Sequence, residues 1–234
     1  GLGTVNVERI GARLRSRALG SALSVRRAAV IAAPALAGLL IVAGFFLDPA
    51  IDESGRELAE EYAAHPGREQ VSALAFHFAF ALIAIPAVAL IVAVRGRGAW
   101  LANLAAFFGF LGLTTLPGFL LTDFYDIAIY GELGGDAWDT VDDRIQELPG
   151  AAVMFLTGFL GFTLTLPTAL LAAWRAGLLP WWPAALLLAG TICAEAVPDG
   201  YGLLIWAGAL AVLSYVLWKQ RPEPSGVAEH RSIP

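Results

Sequence analysis

The sequence predicts an all-α fold, a polytopic bundle of about six membrane-spanning helices. The chain has 234 residues, of which 58% are hydrophobic and only 15% are charged. Soluble domains average about 45–50% apolar and about 25% charged residues. The apolar residues also fall into charge-free blocks of about 20 residues, the length of helix that crosses a bilayer. A soluble core of this size would instead show amphipathic periods.

Six apolar blocks define the predicted spans, which together form a single transmembrane domain over 28–219. They cover residues 28–47, 71–94, 99–121, 151–173, 178–196 and 202–218. The last two blocks are short, so a re-entrant pair is the alternative for them. The Arg-rich amphipathic segment 1–27 is expected to lie on the inner leaflet. The tail, 220–234, is expected to be disordered.

The distribution of basic residues predicts the orientation. With the N-terminus inside, the inner segments carry 12 of the 15 basic residues and the outer segments carry 3. Both termini are therefore predicted to be cytoplasmic. The outer segments also hold 17 of the 20 acidic residues, a net charge of −14, mostly within 48–70 and 122–150. Lysine occurs once, at Lys219, and such arginine bias is typical of high-GC bacteria, which predicts a bacterial plasma membrane protein.

Each long outer segment contains a predicted helix. Ser54 and Glu57 form a capping-box pattern that opens a short polar helix ending near Ala64. The second segment predicts an amphipathic helix over 136–148 that lies on the outer membrane surface and offers a docking site for a protein partner. Its apolar face consists of Trp138, Val141, Ile145 and Leu148.

Spans 2–3 and 4–5 resemble each other and predict a parallel repeat of helix pairs. Pro86 and Pro167 lie within the first span of each pair and should kink it. A short basic turn follows in both pairs, with Arg95 and Arg175. Repeats of this kind build many membrane bundles and place sites between the repeats. Chance recurrence of proline and basic turns in apolar sequence is the alternative.

Small residues four apart predict that spans 3 and 4 are buried in the bundle, since such stripes allow helices to approach closely in lipid. The two stripes are Ala105, Gly109 and Gly112 in span 3, and Thr157, Gly161 and Thr165 in span 4. This pattern concerns packing and implies no activity.

An acidic outer mouth of the bundle is the predicted ligand site. The ligand-binding residues would be Asp123, Asp126, Tyr130, Glu195, Asp199, Tyr201 and His77. Ionisable groups at membrane depth usually face a cavity or a partner. Such a site could bind a cation or an amine. It could also supply a general acid and base from Asp126, Glu195 and His77. The alternatives are solvated interfacial acids and a core histidine bonded to a backbone carbonyl.

No cofactor or metal is predicted. Two patterns are the candidates for such a site. Residues 142–147 resemble the acidic Mg²⁺-binding motif of class I terpene synthases, which implies Asp142, Asp143 and Glu147 as ligands; the alternative is a solvated helix face. His77 with His65 would offer two haem ligands. The chain contains no Gly-rich phosphate loop, HExxH motif or GxSxG motif. Its net charge of −5 gives no basic footprint for nucleic acid.

The span layout, the mid-span prolines and the Asp-Phe-Tyr-Asp run at 123–126 resemble small six-helix membrane proteins of high-GC bacteria. That resemblance carries no functional residues over. Three functions therefore stay open. The first is binding or transport of a small cationic or amphiphilic ligand. The second is an intramembrane enzyme acting on a lipid or isoprenoid. The third is a structural or accessory subunit.

Overall fold

The computed structural model describes residues 2–220, together with the side chains of 22–220 except those of Glu195 and Asp199. Throughout this range the chain forms helices and no strand, which confirms the all-α class. The described part contains five helices that are long and apolar enough to cross a membrane. They are Ala22–Leu47, Pro66–Ala93, Pro149–Arg175, Gly202–Lys219 and the stretch Ala99–Leu133, which is helical apart from short breaks near residues 114 and 120. The chain is therefore a multi-pass helical membrane protein.

Ten α-helices follow one another over residues 2–219. They are α1 (Leu2–Leu47), α2 (Gly55–Ala64), α3 (Pro66–Ala93), α4 (Ala99–Leu113), α5 (Leu116–Phe119), α6 (Leu121–Leu133), α7 (Gly135–Gln146), α8 (Pro149–Arg175), α9 (Trp182–Ala196) and α10 (Gly202–Lys219). A 3₁₀ turn, Pro198–Gly200, joins α9 to α10. The polar outer helix predicted to end at Ala64 is confirmed as α2, although Ser54 makes no side-chain capping bond. The helix predicted over 136–148 is confirmed as α7.

The predicted fifth span corresponds to α9, an apolar helix of 15 residues. At 1.5 Å per residue it extends about 22 Å, less than the roughly 30 Å of a bilayer core. A sixth crossing therefore remains a prediction. At the N-terminus, α1 runs without a break through the predicted boundary at residue 27. The side chains of residues 1–21, which include most of the Arg-rich segment, and the tail beyond residue 220 lie outside the described residues.

The bundle is built around α1, which packs against α3 and α10. Ser72 Oγ on α3 donates to the Gly44 carbonyl of α1 at 3.1 Å. Ser214 Oγ on α10 donates to the Ile31 carbonyl at 2.6 Å and accepts the Ala35 N–H at 2.8 Å. The Ser214 hydroxyl therefore bridges an i, i+4 backbone pair of α1 beside Pro34. Bonds of this kind satisfy backbone groups where water is absent.

The two small-residue stripes meet where α4 crosses α8. An added Cβ at Gly161 would lie 2.6 Å from the Gly112 nitrogen, and one at Gly112 would overlap the backbone of Phe162. This close approach confirms the predicted packing of the stripes. The prediction that span 3 is buried is wrong for the rest of its surface, because Trp100, Phe107 and Phe110 of α4 are all more than half exposed. A helix at the edge of a bundle needs only one stripe to pack, and its other faces contact lipid.

The helical path of span 3 is broken between α4 and α6. Thr114 Oγ1 bonds back to the Phe110 carbonyl, and Pro117 follows three residues later without an N–H to donate. The chain therefore leaves α4 at Leu113, forms the short α5 and restarts at Leu121. Beyond this break, α6 packs against α2.

The connecting segments gather at two opposite ends of the bundle. The segments predicted to lie outside meet at one end, where α2 packs against α6 and α7. Gly200 approaches Ile51 at the same end. The basic turns at 94–98 and 176–181 meet at the other end, where Gly98 approaches Ala172 and Arg175. The side of the membrane on which each end lies remains a prediction.

Candidate functional site

Helices α2, α6 and α7 form an outer cap over one end of the bundle. Trp138 on α7 is only 7% exposed, and its Nε1 donates to Asp126 Oδ1 on α6 at 2.7 Å. Arg56 on α2 forms ion pairs with Asp139 at 2.7 Å and with Asp136 at 3.2 Å. Trp138 points inward. The other members of the predicted apolar stripe do not, since they are 37–49% exposed.

An acidic cluster lies beneath this cap, formed by Asp48, Glu69 and Asp123 beside Tyr62. Each member comes from a different element. Asp48 follows α1 and accepts the Ala50 N–H at 2.9 Å, Glu69 lies in the first turn of α3, and Asp123 lies in the first turn of α6. Tyr62, on α2, is 6% exposed and closes the cluster from the cap side. The cluster is therefore assembled entirely by tertiary packing.

Glu69 is the most deeply buried member of the acidic cluster, at 1% exposure. Among the described residues its Oε2 has no hydrogen-bond partner. The carboxylates of Asp48 and Asp123 lie close enough to repel it. A buried carboxylate without a partner costs several kcal/mol by order of magnitude. Such a group points to something that the site accepts, either a proton or a cation.

The raised pKa values of Tyr62 and Asp48 indicate that burial and negative charge outweigh the nearby positive charge at the acidic cluster. Burial, followed by the charges of the acidic cluster and Asp126, raises the pKa of the Tyr62 hydroxyl well above its usual range. Burial also raises the pKa of Asp48, although the Ala50 N–H and the Arg68 guanidinium oppose the shift. Tyr62 therefore stays neutral at physiological pH and offers a hydroxyl and an aromatic face to the cluster.

The structure brings together only part of the predicted vestibule. Asp123 belongs to the acidic cluster, and Asp126 lies beside it, bonded to Trp138. Tyr130 lies near Arg56 on the cap. Tyr201 is 55% exposed and packs against Phe45, with ring centroids 5.5 Å apart. The side chains of Glu195 and Asp199 lie outside the described part of the chain.

His77 is a core histidine bonded to a backbone carbonyl, which is the alternative to its predicted role in ligand binding. Its Nδ1 lies 2.9 Å from the Pro117 carbonyl oxygen. Because a carbonyl can only accept, the ring must donate from Nδ1. This bond ties α3 to the start of α5, where Pro117 leaves backbone groups unpaired.

Sequence reasoning missed Asp48, Tyr62 and Glu69. One signal was present for Glu69, because the buried face of α3 continues backwards to it at helical spacing. That face consists of Glu69, Ser72, Phe76, Ala79 and Ile83. An acid on the inward stripe of a membrane helix is a functional candidate. Asp48 and Tyr62 carry no comparable pattern, since each follows from the position of the cap.

An apolar groove runs one turn deeper than the acidic cluster, between α3 and the α5–α6 segment. Its volume is about 410 Å³. It is lined by Ala73, Leu74, His77, Phe78, Leu120, Leu121 and Phe124, with Pro117 and Gly118. Ala73 lies one turn after Glu69, and Leu120 lies one turn before Asp123. The groove therefore begins one helical turn along the chain from two members of the acidic cluster.

A second apolar space, of about 100 Å³, lies inside the bundle among α3, α8, α9 and α10. The rings of Phe80, Phe162 and Trp206 form one side of it, with centroids 5.0–6.1 Å apart. Thr163 and Thr191 line both this chamber and a groove between α8 and α9. No carboxylate whose side chain is described lines the chamber.

The candidate metal and haem ligands lie on the surface or are bonded to other residues. Gln146 Nε2 donates to Asp142 Oδ2 at 2.6 Å, and Arg144 pairs with Glu147 at 2.7 Å. His65 lies 3.3 Å from Glu61, on the exposed side of α2. Over the described range, no group of three His, Cys, Asp or Glu side chains is arranged to hold a metal ion. Magnesium and haem stay alternatives to the prediction that no cofactor is bound.

The fold and these sites define a multi-pass helical membrane protein in which a cap formed by α2, α6 and α7 covers a buried glutamate and two half-buried aspartates. No protein-family model matches the chain, and no curated protein or solved structure matches it. Function must therefore be argued from the chemistry of this site, since the fold class alone hosts many activities.

Proposed function

We propose that the protein binds a small cationic amphiphile at the outer membrane interface. The positive head group occupies the acidic cluster, and the apolar part occupies the groove between α3 and α6. The observation that carries this proposal is the buried Glu69 carboxylate, whose Oε2 has no hydrogen-bond partner in the described chain. A cation that pairs with Glu69, Asp48 and Asp123 would offset the cost of burying them.

An organic cation suits this site better than a metal ion. The carboxylates influence one another electrostatically, yet the described side chains do not converge at metal-ligand spacing. An ammonium group is larger than a metal ion and can bridge carboxylates that lie further apart. The buried ring of Tyr62 adds an aromatic face, which attracts ammonium groups by about 0.5–2 kcal/mol.

The adjoining groove favours an amphiphile over a free ion. Its lining is almost entirely apolar, and Ala73 of that lining lies one helical turn after Glu69. A ligand that enters from the outer leaflet could therefore keep its tail among apolar side chains while its head group reaches Glu69. Pro86 and Pro167 lie inside α3 and α8. Because each proline removes a backbone hydrogen bond of its helix, α3 and α8 are where we place the movement if the ligand is also transported.

The test is ligand-induced thermal stabilisation of the purified protein. A long-chain primary amine and a long-chain quaternary ammonium should stabilise the wild type, whereas an alcohol of equal chain length should not. Glu69→Gln should weaken amine binding by about tenfold or more, which corresponds to about 1.4 kcal/mol. The variant itself should fold well, because the amide removes a buried charge that lacks a partner.

The matched control is Glu132→Gln, which removes an exposed acid from α6 on the same side of the molecule. It should bind the amine like the wild type. Equal binding by Glu69→Gln and the wild type would contradict the proposal. Equal loss in both variants would also contradict it, because that outcome reports general surface charge.

An intramembrane enzyme acting on a lipid or isoprenoid is the second candidate, supported by the apolar chamber beside Phe80, Phe162 and Trp206. The hydroxyls of Thr163 and Thr191 line it, while Asp126 and His77 are engaged elsewhere. Mass spectrometry of the gently solubilised protein distinguishes the two. A bound isoprenoid would favour the enzyme, and a bound amine would favour the carrier.

The accessory-subunit alternative depends on α7 as a docking helix. Because Trp138 points inward to Asp126, the exposed apolar side chains left for a partner are Val141, Ile145 and Leu148. Ile145→Asp tests this alternative. Loss of a co-purifying subunit in that variant would favour it, whereas a wild-type protein that purifies alone and binds amines would favour the first proposal.

A further inference from the structure

A basic pocket lies at the opposite end of the bundle, between the turn that joins α3 to α4 and the turn that joins α8 to α9. It is a depression of about 280 Å³. It is lined by Arg97, Trp174, Arg175, Ala176 and Gly177. Arg97 and Arg175 come from separate helical hairpins, so the tertiary fold brings their guanidinium groups to one place.

Gly98 holds the two turns together. Its φ is +93°, a conformation that favours glycine. An added Cβ at Gly98 would lie 2.5 Å from the Ala172 carbonyl oxygen and 3.2 Å from Arg175 Cβ. This close contact fixes the first turn against the end of α8. The basic pocket is therefore a built feature of the fold.

The charge of the basic pocket is not neutralised by the described part of the chain. Arg97 and Arg175 are exposed, and the ion pairs found among the described side chains involve neither of them. Neither turn contains an acidic residue. The N-terminus of α4 begins at Ala99, and its partial positive charge adds to that of Arg97.

The surroundings of the basic pocket are those of a membrane interface. The Trp174 ring is 43% exposed, and Leu178, in the same turn, is 44% exposed. Tryptophan concentrates at the level of lipid head groups because its ring is amphipathic. The pocket therefore combines two guanidinium groups, neither of which pairs with an acid in the described part of the chain, with an exposed apolar rim.

We propose that the basic pocket binds the phosphate head group of an anionic phospholipid. Two arginines that flank a depression match a phosphodiester, since guanidinium groups donate paired hydrogen bonds to phosphate oxygens. Basic pockets between helices at the inner membrane face are suited to anionic lipids. The same arginines could also attract free phosphate, and the apolar rim is the feature that favours a lipid. This site is independent of the acidic cluster.

The experiment compares retention of phosphatidylglycerol and phosphatidylcholine by native mass spectrometry of the full-length protein. The wild type should retain phosphatidylglycerol selectively. Arg97→Gln and Arg175→Gln should each reduce this retention by about tenfold. The control is Arg95→Gln, which removes an exposed arginine of the same turn that does not line the pocket, and it should retain the lipid like the wild type.

Three outcomes would overturn the proposal. In the first, Arg95→Gln loses as much lipid as Arg97→Gln, so that only general charge attraction is present. In the second, inorganic phosphate at matched concentration stabilises the wild type as much as phosphatidylglycerol does, so that the pocket is a free-anion site. In the third, Arg97→Gln and Arg175→Gln keep full retention. Melting temperatures measured in phosphatidylcholine show whether each variant is folded.

Discussion

Asp48 lies one residue beyond α1 and is a half-buried member of the acidic cluster. Burial is the largest cause that raises its pKa above the ordinary 3.8, and the nearby charge of Asp52 adds to the shift. The Ala50 N–H and Arg68 oppose it. A group whose pKa is higher in the folded state holds its proton more tightly there, so the folded state loses stability as the pH rises through that pKa.

Asp48→Asn should therefore be more stable than the wild type at neutral pH. The amide oxygen can still accept the Ala50 N–H, while the buried charge is removed. As the pH rises above 3.8, the ordinary pKa of an aspartate, the wild type should lose more stability than the variant does. Thermal unfolding in detergent across this range measures both slopes, and parallel slopes would contradict the assignment.

Trp138 anchors the outer cap through one hydrogen bond. Trp138→Phe keeps most of the ring but removes the donor to Asp126 Oδ1, which lies 2.7 Å away. The free energy of unfolding should fall by about 1–3 kcal/mol, because a charged acceptor loses its partner. Hydrogen exchange should rise in α7 before it rises in α8. Trp100→Phe, at a ring that is 73% exposed, is the control and should change neither measurement.

At the scale of elements, the crossing of α4 and α8 depends on the absence of side chains at Gly112 and Gly161. A Cβ at Gly112 would overlap the Phe162 backbone, so the two helices would have to separate. Lipid offers no hydrophobic force that would push them back together, and packing supplies most of the attraction. This contact is where a single methyl group should have a large effect.

Gly112→Ala should lower the free energy of unfolding by about 1–3 kcal/mol or more, the range for overpacking a close contact. Gly208→Ala is the matched control, since Gly208 lies inside α10 with no neighbour within 4 Å of an added Cβ. The control should be neutral or slightly stabilising, because alanine is the better helix former. Melting temperatures of the two variants test the crossing, and equal values would refute its importance.

At the scale of the whole molecule, the fold collects the acidic segments at one end and the basic turns at the other. This separation agrees with the orientation predicted from the basic residues. Packing at the two ends does not determine which end lies on which side of the membrane. The short helix α9 is the element on which the number of crossings depends. If α9 crosses, its two ends lie on opposite sides of the bilayer.

Cysteine accessibility measures the orientation and the number of crossings together. In a Cys193→Ala background, Glu132→Cys should react with an impermeant maleimide in sealed right-side-out vesicles, and Arg95→Cys should react only after permeabilisation. Tyr201→Cys should behave like Glu132→Cys, and Leu178→Cys should behave like Arg95→Cys. Labelling of positions 178 and 201 from the same side would contradict a crossing by α9 and support a re-entrant pair.

What the sequence determined by itself is what depends on local pattern. The apolar blocks specify helices because, in lipid, each backbone polar group must be satisfied within its own segment. The polar helix α2, the amphipathic helix α7 and the contact between the small-residue stripes follow from spacing in the same way. Local pattern could not show that most of α4 is exposed, because that depends on which neighbours are present. The break before Pro117 does have a local signal in Thr114 and Pro117, which the prediction of span 3 as one helix did not use.

The tertiary structure alone decided which charges meet. Asp48, Glu69 and Asp123 come from three elements, and the cap that buries them with Tyr62 is closed by contacts of α2 with α6 and α7. In the same way, Arg97 and Arg175 line one pocket because Gly98 lets two turns touch. Electrostatic energy depends on the distance and burial of each pair of charges. Neither quantity is a property of chain position, so the sites appear only once the helices have packed.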